Sequence, residues 1–187
     1  MLNRFKTSKH SPHQIEVFVD RLEQLFNSMD PSPFPEKDLD DDAEEFIISW
    51  AQEFPRKDPI SLLVHVNELP AVQDIQRNVE TSVHHYFAYR AKLNQLEFRQ
   101  LLRRGRVSLI IGLAFLSACL VTSELLLRQS ESTLATVLRE SLTIGGWVAM
   151  WRPMEIFLYE WWPLRRMGRL FEKLSHMHVE VRKRARK

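Results

Sequence analysis

The sequence predicts a mainly α membrane protein. A two-helix transmembrane hairpin is expected, with a small cytosolic α+β domain of few short strands and a long helix leading into the first span. Three observations predict this. Residues 1–106 are polar and charged, 107–162 are mostly apolar and 163–187 are basic. The runs 107–127 and 142–162 each supply the roughly 20 residues a helix needs to cross a hydrocarbon core of about 30 Å. Basic residues gather outside both runs, whereas the segment between them has only Arg128 and Arg139, offset by Glu131 and Glu140.

Whole-chain composition conceals that segregation. With 187 residues, the chain suits one domain, or one small soluble domain plus a membrane element. The net charge of +2 hides acids crowded into 16–45 and bases crowded into 99–106 and 163–187. Basic runs beside apolar spans mark the cytoplasmic side of a membrane more often than a nucleic-acid site, so no nucleic-acid partner is expected. The single cysteine, Cys119, excludes an internal disulfide. The opening MLNRFKTSKHSPH lacks the apolar stretch of a cleavable signal peptide, so none is expected.

The cytosolic part is expected over 1–73. Ser11 and Pro12 read as a helix N-cap and first helical residue. Ile15, Phe18, Leu22, Leu25, Phe26 and Met29 follow at helical spacing, and alternating prolines from Pro31 to Pro35 end that helix. Next, Asp38, Asp40, Asp41, Asp42, Glu44 and Glu45 raise the question of a divalent cation. Their spacing is not that of a calcium loop and no glycine supplies its sharp turn, so no metal is expected. Asp41 with Glu44 fits a capping box instead, and the other acids favour the positive end of the helix dipole. Phe46, Ile47, Trp50 and Phe54 form the expected buried face.

Residues 60–66, ISLLVHV, are short, branched and apolar, and read as a strand. A lone strand leaves its edges unpaired. The other good candidate is 177–182 in the basic tail 163–187, where Val179 and Val181 alternate with polar residues. The two are expected to pair and so to return the C-terminus to the N-terminal domain; an intermolecular pairing is the alternative. From Asp74 the pattern is helical through 74–106 and into the first span. A helix continuing to Leu127 is about 80 Å long at 1.5 Å per residue. Gly105 is the expected place for a bend or break. His84 and His85 point about 100° apart on that helix, so they do not suit one metal.

In the first span, Gly112, Ala114, Ser117, Ala118 and Ser123 allow close helix contact, and Glu124 is placed to pair with Arg128. The linking segment QSESTLATVLRES is short and partly amphipathic. The second span carries an intramembrane polar cluster of Arg152, Glu155 and Glu160. Arg152 and Glu155, three apart, share a helix face, and Pro153 removes the donor for the Ala149 carbonyl, which predicts a kink. Trp161, Trp162, Arg165 and Arg166 are expected to anchor the far end at the membrane interface. If the helix leaves the bilayer earlier, Arg152 instead snorkels to the interface. Arg99, Arg103, Arg104 and Arg106 before the first span, with Arg165, Arg166, Arg169 and Lys173 after the second, place both termini in the cytoplasm.

The combination DLDDDAEEFI, PISLLVHV and IGGWVAMWRPMEIFLYEWWPLRR is similar to a group of uncharacterised bacterial inner-membrane proteins. The last stretch is its most specific part, and the resemblance covers most of 35–182. It implies a two-span protein of the bacterial inner membrane and transfers no catalytic residue.

Three function classes remain. A membrane-anchored, homo-oligomeric interaction or scaffold protein, whose cytosolic domain binds a protein partner or its own copies, fits two spans and a small soluble domain best. An oligomeric pore or transport component is the alternative, because ionisable groups inside a membrane mark pathways or relays. A membrane enzyme is disfavoured: there is no nucleophile elbow, metal-binding His-Glu motif or phosphate loop. No cofactor and no catalytic residue is expected, and the lipid bilayer is the first partner.

Overall fold

A computed structural model of the chain describes residues 13–55, 57–68, 74–127 and 132–184. It is mostly helical with one three-stranded parallel sheet. In chain order the elements are β1 (His13–Arg21), α1 (Asp41–Glu53), β2 (Ile60–Glu68), α2 (Ile75–Leu127), α3 (Thr133–Ala149), α4 (Trp151–Glu155), α5 (Trp161–Leu174) and β3 (His178–Lys183). They form two compact units, Met1–Lys92 with Gly168–Lys187, and Leu93–Met167.

In the first unit the sheet order is β1-β2-β3. The expected pairing of 60–66 with the C-terminal strand is present, in parallel, with Leu62 opposite Val179 and Val64 opposite Val181. On the other side of β2, Ile15 pairs with Leu62 and Val17 with Val64. Parallel neighbours need a crossover connection. From β1 to β2 it is made by α1; from β2 to β3 it contains everything from α2 to α5. The second unit is therefore an insertion within a crossover. Ile47 of α1, Val79, Val83 and Phe87 of α2, and Leu174 of α5 are fully buried, as are Leu62 and Val64 of the central strand. The free edge of β3 is closed by one side chain. Gln76 Nε2 donates to the Val179 carbonyl at 2.5 Å and the Val181 N–H donates to Gln76 Oε1 at 2.8 Å. That amide takes the place of a further strand, which is one way to blunt an edge.

Three expectations for this unit are corrected. The helix expected from Ile15 to Met29 is β1 followed by a short 3₁₀ turn, Leu22–Leu25. Ile15, Val17 and Val19 alternate toward the core and are β-branched, which suits a strand. Phe18, which completed the helical pattern, instead lies on the opposite face, stacked on His65 with ring centres 4.5 Å apart. The cap of α1 is Asp40, whose side chain accepts from the Asp42 N–H at 3.1 Å, and not Asp41. The buried face of α1 is Glu44, Ile47 and Ala51, while Phe46 and Trp50 are exposed. Before α1, the Asp30 carboxylate accepts from the N–H groups of Ser32 and Asp38 and closes the proline-rich turn.

In the second unit α2 continues unbroken through Gly105, where a bend or break was expected. A Cβ there would lie 2.8 Å from Ile156 Cγ2, so this glycine permits close packing. Farther along, a Cβ on Gly112 would meet the Ala149 carbonyl oxygen at 3.1 Å, and one on Gly146 would meet Leu116 Cδ1 at 2.8 Å. Arg139 reaches Glu124 at 3.5 Å. As residue numbers climb from 105 to 124 on α2, their partners fall from 156 to 139, so the helices pair antiparallel. On the returning strand of the pair, the buried residues Ala135, Gly146, Pro153 and Ile156 follow a three-and-four stripe. The returning helix starts at Thr133, capped by the Ser132 hydroxyl accepting from Ala135 N–H, so most of the expected linking loop is helical. Ser11, Pro12 and Arg128, and with it the expected Glu124–Arg128 pair, lie outside the described residues.

Among the described residues one helix, α2, holds a stretch long and apolar enough to cross a membrane. Its best window has a mean hydropathy of 1.9 and is only 17% buried. The second run, 142–162, is not a single helix. It crosses the end of α3, a turn at Met150, α4, a π turn at Ile156–Glu160 and the start of α5.

Candidate functional site

The polar cluster sits where this second run is least regular. Pro153 has no N–H for the Ala149 carbonyl, and the helix is interrupted at Met150, just before it. Ten residues on, Pro163 likewise cannot donate to Tyr159 and crowds its carbonyl. The π turn Ile156–Glu160 lies directly ahead of that second proline. Trp161 Nε1–H donates to the Phe157 carbonyl at 2.8 Å, so an indole serves a backbone acceptor of the widened turn.

Arg152 joins both carboxylates. Its Nη1 donates to Glu155 Oε2 at 2.8 Å and to Glu160 Oε1 at 2.5 Å. Glu155 is within reach because residues three apart share a helix face. Glu160 needs the π turn. In a straight α-helix it would stand about 80° round from Arg152 and ~12 Å along the axis. The i→i+5 turn rotates less per residue and carries Glu160 back toward the arginine. The sequence places these three residues in one stretch; Pro163 marks a disturbed turn there but does not specify the widened turn that joins all three.

The cluster contains one cation and two carboxylates, and its side chains are 59%, 45% and 30% exposed for Arg152, Glu155 and Glu160. It therefore faces outward from the helix pair. Around it, Trp147, Val148, Trp151, Met154, Leu158 and Tyr159 are exposed as well. Of the expected anchors, the Arg165 guanidinium lies 5.9 Å above the Trp161 ring, while Trp162 and Arg166 project outward. Such an arrangement can bind an ion, take up a complementary charge or hold a proton.

A second polar cluster, in the first unit, was missed. Glu44 Oε2 accepts from the Tyr86 hydroxyl at 2.6 Å, and Glu44 Oε1 lies 2.7 Å from Arg90 Nε. The Arg90 guanidinium also covers the Phe171 ring at 5.4 Å. Burial, followed by the Glu44 hydrogen bond, pushes the Tyr86 hydroxyl well above its ordinary value. The set ties α1, α2 and α5 together. Nothing local marked Glu44 as a buried partner, because a glutamate in a first helical turn reads as capping. His84 is structural too: its Nε2–H donates to the Met177 carbonyl at 2.7 Å, holding the chain before β3. Among the described residues no group of three or more acidic, histidine or cysteine side chains is placed to hold a metal ion.

Set against protein-family models, curated proteins and solved structures, the chain matches none.

Proposed function

We propose that the chain is an integral membrane protein of two spans, 107–127 and 142–162, that works as a homo-oligomeric, membrane-anchored interaction or scaffold protein. One observation carries the membrane reading: the apolar stretch of α2 is 17% buried, which supports a lipid-facing helix over the buried core helix of a soluble fold. Ile110, Ile111, Phe115, Val121 and Leu125 on α2, with Leu134, Ile144 and Val148 on its partner, leave apolar surface on the outside of both helices. Soluble monomers rarely expose contiguous apolar surface on that scale. The breaks in the second run fit a membrane helix whose backbone groups are met by other means, here Trp161 on the Phe157 carbonyl.

Oligomerisation follows from the cluster. Arg152, Glu155 and Glu160 face out of the helix pair, and lipid offers no partner for ionised groups. Copies of the chain, or a wet cavity between them, supply that surrounding. The same exposure supports the second reading, a subunit of an oligomeric pore or transport component whose polar path runs past Arg152. The bacterial inner membrane, with both termini cytoplasmic, rests on the basic residues flanking the runs and on the resemblance of the DLDDDAEEFI, PISLLVHV and WRPMEIFLYEWWPLRR segments. The cytosolic unit is the site for a protein partner.

The test is alkaline extraction of membranes from expressing cells, followed by the copy number of the protein in nanodiscs. The proposal expects the chain to stay with the pellet and to form a defined oligomer. Release into the supernatant sinks the membrane reading, and a monomer in nanodiscs sinks the scaffold and the pore alike. Ion flux from reconstituted vesicles, abolished by Arg152→Leu, would favour the pore.

A further inference from the structure

Along the N-terminal half of the apolar stretch, α2 carries an open groove of about 640 Å³. Arg103 and Arg104 stand at one end. Val107, Ile111 and Phe115 form its apolar wall, and Ser108, Gly112 and Ala149 its floor. The floor is low because these residues are small, and a Cβ on Gly112 would already press on the Ala149 carbonyl. The lining residues of α2 recur three and four apart, so they form one strip along the helix.

We infer that this groove holds one anionic phospholipid, its phosphate at Arg103 and Arg104 and an acyl chain laid along the wall to Phe115. The inference rests on the membrane reading above. Two features of the groove select this occupant. The first is charge: both cations lie at one end and the remainder of the wall is hydrocarbon, the polarity of a lipid and not of a second apolar helix. Arginines also pair well with phosphate, and basic pockets on the cytoplasmic side of a bilayer suit anionic headgroups. The second is length. Eleven residues separate Arg104 from Phe115, about 16 Å of helix at 1.5 Å per residue. That is close to one leaflet of a hydrocarbon core of about 30 Å. The arginines lie outside the first span, on its cytoplasmic side in the proposed orientation, which is where the headgroup of an inner-leaflet lipid sits.

The test uses the full chain extracted in mild detergent, with native mass spectrometry to count lipid retained when phosphatidylglycerol or phosphatidylcholine is added. Preferential retention of a single phosphatidylglycerol is expected. Replacing both groove arginines, Arg103→Gln with Arg104→Gln, should weaken it roughly tenfold or more, since each basic residue near an anionic surface contributes on the order of a factor of five. Ser108→Phe fills the floor and keeps the charge, and it should also expel the lipid. Arg99→Gln with Arg106→Gln removes as much charge from outside the groove and should change retention less than twofold. Equal retention of both lipids, equal losses in the two double variants, or retention surviving Ser108→Phe would each overturn the groove site. A cross-link from Ile111→Cys to a second copy would also overturn it. The membrane reading fails separately, when the wild-type chain leaves the membrane on alkaline extraction.

Discussion

Arg152 shows why single residues matter in this chain. An isolated arginine at the centre of a membrane helix costs about 2.5–3.5 kcal/mol on insertion scales. Here two carboxylates meet it, one by helical spacing and one through the π turn. Removing one sign alone leaves the other without a partner, which in buried pairs costs more than removing the whole set. On the proposed oligomeric membrane reading, Arg152→Leu, and Glu155→Leu with Glu160→Leu, should each lower the yield of intact oligomer several-fold, while the triple variant keeps more of it. Size-exclusion chromatography after extraction reads this, and a triple variant worse than both would contradict it. Tyr86 poses the parallel question in the soluble unit. Tyr86→Phe takes a hydrogen bond from the buried Glu44 carboxylate and should cost about 1.5–3 kcal/mol in urea unfolding. Its pH dependence has a definite sign. The folded hydroxyl is held above its ordinary value of 10.0, so its stabilisation is complete below pH 10 and declines as pH rises beyond it. The wild type should lose stability there more steeply than Tyr86→Phe. Glu155 as a partner was legible from spacing; Glu44 as a buried acceptor was not, because its partners come from a helix some 40 residues away.

Among the elements, those with one dominant pattern were readable. β2 is a nearly continuous apolar run because it is the central strand, and α2 is a long helical pattern without proline. β1 fits two periods at once: Ile15, Phe18 and Leu22 match a helix, while Ile15, Val17 and Val19 match a strand. Only the parallel partner decides between them, and a partner is not local information. The deletion of 177–187 should expose the amides of residues 60–66 to faster hydrogen exchange, since β3 is one of the two strands beside them. Unchanged protection would mean the pairing contributes little. The helix pair offers a sharper comparison. A Cβ on Gly146 meets Leu116 at 2.8 Å, whereas one on Gly145 meets nothing within 4 Å. Gly146→Leu should therefore cost at least 1–3 kcal/mol through overpacking, and Gly145→Leu should be tolerated. Thermal melting in detergent distinguishes them, and similar losses for both would deny the close seam. Small residues along α2 were visible in the sequence, but Gly105 was misread as a break because a glycine that bends and a glycine that packs look alike.

At the scale of the molecule, the chain is a parallel three-stranded α/β unit into whose second crossover an apolar helix pair is inserted. This explains why the last strand returns to a sheet begun near the N-terminus: α2 leaves the first unit and α5 re-enters it. In the proposed membrane arrangement it also carries a topological demand, since both ends of the insertion must then lie on one side of the bilayer, which two spans satisfy and one does not. The segregation of charge and apolar residues made this legible in outline, whereas the breaks in the second run come from Pro153 and Pro163 acting on a backbone whose response the sequence does not encode. Substituted-cysteine labelling in intact cells, on a Cys119→Ser background, tests the arrangement most directly. The account predicts that a membrane-impermeant maleimide modifies Ser132→Cys from outside, and reaches Ser28→Cys and Arg184→Cys only after the cells are permeabilised. Labelling of Arg184→Cys from outside, with Ser28→Cys protected, would mean one crossing and would contradict it.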